Sequence, residues 1–143
     1  MGVKTFTLKE ANRVLPKIKG TFDDIFVLKK KIAMMKTEMD WLREFWGKDL
    51  HDADNPDSEK YGELADGIEG LYTQIVRKVG RIQSLGCIVK DADAGLVDFY
   101  SVINNEVAFL CWKYGEKSMQ YWHSVEGGFR GRQPLSSVNK INK

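Results

Sequence analysis

The side chains best suited to chemistry gather in the last third of the chain. Asp91, Asp93 and Asp98 lie within eight residues, and Glu116, His123 and Glu126 follow. Two or three carboxylates with one imidazole make a donor set for a divalent metal, or a general base with its partners in a hydrolytic reaction. On the metal reading the ligands are Asp91, Asp98, Glu116, His123 and Glu126. The spacing completes no ligand motif. Asp91-Ala-Asp-Ala-Gly95 begins like a calcium loop, but its twelfth position is Val102 where glutamate is required. The plainer alternative makes Asp91 and Asp93 turn-formers and His123 a packed aromatic.

A second feature follows directly. Gly127-Gly-Phe-Arg-Gly-Arg-Gln-Pro134 is a glycine-rich loop with two arginines, which can clamp an oxyanion. No strand–loop–helix context surrounds it, so it is not a nucleotide-phosphate fingerprint. A surface loop tied down by Arg132 is the alternative. With two cysteines (Cys87, Cys111) and two histidines in 143 residues, a disulfide framework and an all-Cys/His zinc site are both disfavoured.

Charge narrows the partner classes. Between Glu38 and Glu69 there are eleven acids against three bases, a charge of −8, which leaves +10 on the rest of the chain. Such a division creates a negative and a positive region. The pI of 8.5 and the acidic block disfavour nucleic acid as a partner. The longest apolar run, Val107 to Trp112, is six residues, against the ~20 of a membrane span. Residues 1–8 carry no apolar signal core, so the expected location is the cytoplasm, with reduced cysteines.

The elements that must position these groups are legible as periods. Thr7-Leu8-Lys9-Glu10 is a capping box and predicts a short N-terminal helix. Pro16 is expected to interrupt it and open a longer helix over about 17–47. Its seam is Leu15, Ile18, Phe22, Ile25, Ile32, Met35, Met39, Leu42 and Trp46, at steps of three and four with Lys29 filling the one gap. A polar turn over 48–57 leads to a second helix over 58–85. Its seam is Tyr61, Leu64, Ile68, Leu71, Ile75, Val79, Ile82 and Leu85, and Gly86 is its stop. Two matched seams predict an antiparallel, coiled-coil-like helical hairpin. After Gly86 the period becomes two. Residues 87–90, 96–100 and 106–112 read as three strands of a small antiparallel β-meander, with Asn104-Asn105 as a turn. The tail, 127–143, reads as loop. The expectation is a single α+β domain over 1–143, with the hairpin part at 1–86 and the β part at 87–143.

The long helix also carries Phe26, Met34, Trp41 and Phe45 off its seam. One partner helix cannot cover two stripes, so a homodimer is expected. An antiparallel dimer would set acidic tips near the basic band of Lys29, Lys30, Lys31, Arg77, Lys78 and Arg81.

Several stretches together resemble a small prokaryotic uncharacterised family, domain of unknown function 2203. They are Phe6-Thr-Leu-Lys-Glu-Ala-Asn12 with Leu15-Pro16, Gly86-Cys-Ile-Val-Lys-Asp91, Gly95-Leu-Val-Asp-Phe99, Leu110-Cys-Trp112, Gly115-Glu116, Trp122-His123 and Gly128-Phe-Arg-Gly-Arg-Gln-Pro134. The resemblance covers nearly the whole chain. It implies a small helical-hairpin protein with a compact C-terminal region and lends no activity. Tyr100 stands where the family pattern has proline, and Asn105 where glycine is frequent. Because the signature falls on polar and aromatic residues, the resemblance implies that Lys90, Asp91, Asp98, Glu116, His123 and Arg132 converge on one ligand-binding place. The preferred reading is a non-enzymatic ligand-binding or interaction protein with a polar site in its C-terminal part. The alternative is a metal-dependent hydrolase-like enzyme with a divalent metal as cofactor.

Overall fold

The computed structural model describes residues 3–138. Its first element, α1, runs unbroken over Leu8–Trp46. The capping box opens it: Thr7 N–H donates to Glu10 Oε1 at 2.9 Å, and Glu10 N–H donates to Thr7 Oγ1 at 3.0 Å. The break expected at Pro16 does not occur, so the short helix and the long one are a single element. Proline in a helix interior costs about 3 kcal/mol, because it removes one backbone bond and crowds the preceding turn. Ala11, Leu15, Ile18 and Phe22 flank it, each 0–5% exposed, and burying that face outweighs the cost.

A 3-10 turn, Gly47–His51, precedes the second helix, α2, at Ser58–Gln83. Beyond α2 the chain turns through Gly86, whose φ of +104° is the left-handed region that glycine reaches without strain. Five strands then follow in chain order: β1 Ile88–Asp91, β2 Leu96–Ile103, β3 Glu106–Lys113, β4 Tyr121–Ser124 and β5 Gln133–Pro134. They form one antiparallel sheet in the order β1-β2-β3-β4-β5. The fold is α+β, with two more strands than the predicted three. β4 extends the meander through a stretch for which the sequence predicts no element, and β5 falls within the segment expected to be loop. The predicted tail beyond residue 138 lies outside the described residues. No helix among the described residues is long and apolar enough to cross a membrane.

The chain forms two compact units: one of residues up to Phe22 and from Val79 onward, the other Asp23–Lys78. In the first unit, Val97, Phe99 and Ile103 of β2 and Ala108, Leu110 and Trp112 of β3 point to one sheet face and are 0–3% exposed. Phe6 packs edge-on against Phe99 with centroids 5.1 Å apart, and Phe22 lies 6.2 Å from Trp112. Phe6 N–H also donates to Tyr100 O at 2.7 Å, so the N-terminal segment continues the pairing of β2 where β1 ends.

In the second unit, α1 and α2 touch in reverse order along their lengths. Asp24 meets Lys78, Lys36 meets Tyr72, and Glu38 and Arg43 meet Lys60 and Tyr61. Leu28, Ile32, Leu42 and Ile68 of the predicted seams or beside them are buried. At Gly67 a β-carbon would stand 2.6 Å from Met35 Cε, which shows how closely the two helices approach.

Candidate functional site in the sheet

The sheet face turned away from Phe6, Phe22 and their aromatic core carries the polar groups. Register places them there. Asp98 in β2 pairs with Cys111 in β3, Cys111 pairs with Tyr121 in β4, and His123 follows Tyr121 by two residues on the same face. Asp98 and His123 are each 2% exposed, and Cys111 is fully buried.

The Nε2 atom of His123 lies 3.0 Å from Asp98 Oδ2. The contact has ion-pair distance without hydrogen-bond alignment, which leaves Nε2 buried with no hydrogen-bond partner; Asp98 Oδ1 is likewise buried without one. The opposite ring atom is fixed: Nδ1 stands 2.7 Å from Ser124 O. A carbonyl only accepts, so Nδ1 carries the proton. One donor atom from each of Asp98, Cys111 and His123 lies within 4.8 Å of the others. The Cys111 thiol is pushed up to about 12, chiefly by burial and then by the Asp98 carboxylate, with Arg132 opposing. A thiol held so firmly protonated is no nucleophile.

A second cluster adjoins Cys111 through Arg132. The Arg132 guanidinium donates to the Glu116 carboxylate at 3.0 Å and stacks on Tyr121 and Phe129, with centroids 4.1 and 4.3 Å away. Glu116 also accepts Lys113 N–H at 2.7 Å, closing the turn that leaves β3. Lys90 is the extra residue of a bulge, since Val89 pairs with Val97 and Asp91 with Leu96. Its ammonium sits 5.6 Å from the centroid of Phe109, a ring that in turn lies 5.2 Å from that of His123.

Asp98 and His123 thus come together, as do Glu116 and Arg132, with Lys90 at the margin. Asp91 stands apart and exposed; its Oδ1 accepts the N–H groups of Asp93 and Ala94, as a turn-former does. Glu126 is exposed in the turn after β4. Cys111 is the member that sequence reasoning missed. It sits inside the apolar run 107–112 and reads as core, and only its pairing opposite Asp98 reveals a polar neighbourhood.

These features define an α+β protein whose antiparallel meander encloses a buried Asp–Cys–His cluster. The chain belongs to the family of uncharacterized conserved proteins DUF2203, whose model matches residues 4–135. No curated protein and no solved structure matches the chain.

Proposed function

We propose that this is a non-enzymatic interaction and ligand-binding protein of the cytoplasm. It works as a homodimer joined through its helical unit and presents a polar site on its sheet. One observation carries the reading. Met34, Trp41 and Phe45 of α1 are 66%, 59% and 64% exposed, and the rings of Trp41 and Phe45 stack 5.3 Å apart. They lie on the side of α1 opposite the Ile25, Ile32 and Leu42 seam, and contiguous exposed aromatic surface of this kind marks an interaction site.

The occupant is a second copy of the chain. Within this unit the residues near the 47–57 turn are strongly acidic, while Lys29, Lys30, Lys31, Arg77 and Lys78 lie toward its other end. Two antiparallel copies match these regions in sign, which sets their register. The paired α1 and α2 then form a coiled-coil-like hairpin in each copy and a four-helix layer between copies. The non-enzymatic part of the reading rests on Asp98 and His123, whose 2% exposure offers a substrate no face. The polar site comprises Asp98, Glu116, His123 and Arg132, with Lys90 at its margin. A ligand would meet Arg132 and Glu116, whose side chains keep 15% and 18% exposure.

Fluorine NMR of protein labelled with 5-fluorotryptophan tests the dimer at its contact. The Trp41 resonance, identified by its loss in Trp41→Phe, should show almost no shift between light and heavy water. A full solvent shift, equal to that of an exposed indole, would overturn the reading.

A further inference from the structure

We propose that Asp98, Cys111 and His123 form a transition-metal site that takes one zinc-class divalent cation. The inference deepens the polar-site half of the proposed function and does not depend on the dimer. Its first support is the donor set: a carboxylate oxygen, a thiol sulfur and an imidazole nitrogen within 4.8 Å of one another. Ligands about 2.0–2.3 Å from a tetrahedral ion lie roughly 3.3–3.7 Å apart, so the cluster closes on an ion with side-chain shifts alone. Each donor comes from a different, adjacent strand, and the register of β2, β3 and β4 fixes all three.

The second support is independent of proximity. With Nδ1–H donating to Ser124 O, a neutral His123 ring carries its lone pair on Nε2, 3.0 Å from a carboxylate oxygen. Two lone pairs facing each other on side chains only 2% exposed call for a positive charge between them. A proton on Nε2 would supply one, but it leaves Asp98 Oδ1 without a partner. A divalent cation engages all three groups and balances one carboxylate and one thiolate in charge. The Nδ1–H to carbonyl bond is also the outer contact that orients a metal-bound imidazole.

The donor types select the ion. A sulfur ligand disfavours magnesium and calcium, whereas mixed sulfur, nitrogen and oxygen donors suit zinc and cobalt. Binding forms a metal–sulfur bond as the Cys111 thiol releases its proton to solvent, and three protein ligands leave a fourth position for water or an outside ligand. Asp91, Glu116 and Glu126 lie outside this set.

Cobalt(II) titrated into the chelator-treated full chain tests the site. One equivalent should bind, with thiolate-to-cobalt charge-transfer absorption in the near ultraviolet that zinc abolishes. Cys111→Ser should lose that band, Cys87→Ser should keep it, and Asp98→Asn should weaken binding at least about tenfold. Paramagnetic shifts of the His123 ring protons report the same site in unmodified protein, so an unfolded variant does not blunt the test. No band at stoichiometric cobalt, a band that survives Cys111→Ser, or unshifted His123 protons would overturn the proposal. A monomer that binds cobalt would overturn the dimer and leave this site standing.

Discussion

A thiol buried as deeply as Cys87 keeps its proton well past the usual range. It is 4% exposed, donates to Ile82 O at 3.2 Å, and is pushed by burial from 9.0 to about 11. The folded state therefore binds this proton more tightly than the unfolded chain does. The resulting stability is fully present below pH 9 and is lost as pH rises through about 11. Relative to Cys87→Ala, the wild-type advantage should shrink by roughly 2 kcal/mol across that window, measured by urea unfolding. A constant gap would mean that the thiol is solvated. His123 gives the opposite kind of test. Replacing it with phenylalanine strands the buried Asp98 carboxylate, which should cost about 3–5 kcal/mol in chelator-treated protein at neutral pH. A loss below about 1 kcal/mol would show that the pair does not hold charge. At this scale the sequence was half legible. Asp98 and His123 were visible as donors, because polar groups in a β-favouring stretch are conspicuous. Cys111 was not, because a thiol flanked by Leu110 and Trp112 looks apolar until its cross-strand partner is known.

Local chemistry marked most elements, and tertiary packing overrode it in two places. The capping box at Thr7 and Glu10 and the glycine stop at Gly86 act within a few residues, so sequence alone revealed them. Pro16 misled because its cost is local, whereas the burial of Leu15 and Ile18 that offsets it is not. β4 and β5 lacked a signal for another reason. Four residues and two residues are too short for a period, and their strand character exists only through pairing with β3 and with each other. The turn at Asn104 and Asn105 was legible, and both residues have positive φ, 54° and 66°, as a two-residue hairpin of the primed type demands. Asn105→Gly should therefore stay within about 0.5 kcal/mol of wild type, while Asn105→Val should lose about 1–2 kcal/mol in thermal unfolding. Equal behaviour of the two would contradict the turn geometry. Ile32, 4% exposed, should cost about 2–4 kcal/mol as Ile32→Ala, and a loss under half a kcal/mol would dissolve the seam.

Over the whole molecule, the net charge of +2 conceals the division into a −8 block and a +10 remainder. Salt should therefore weaken association if charge sets the register of the dimer, since screening shortens to about 10 Å at 0.1 M. In the proposed dimer the apolar stripe and the ionic match would both contribute attraction, and the ionic match would set the alignment. Sedimentation equilibrium of the full chain at micromolar concentration measures this most directly. The expected mass is twice the 16.4 kDa of one chain, falling toward the single-chain value as salt rises and in Trp41→Lys. A single-chain mass at every salt and protein concentration would contradict it.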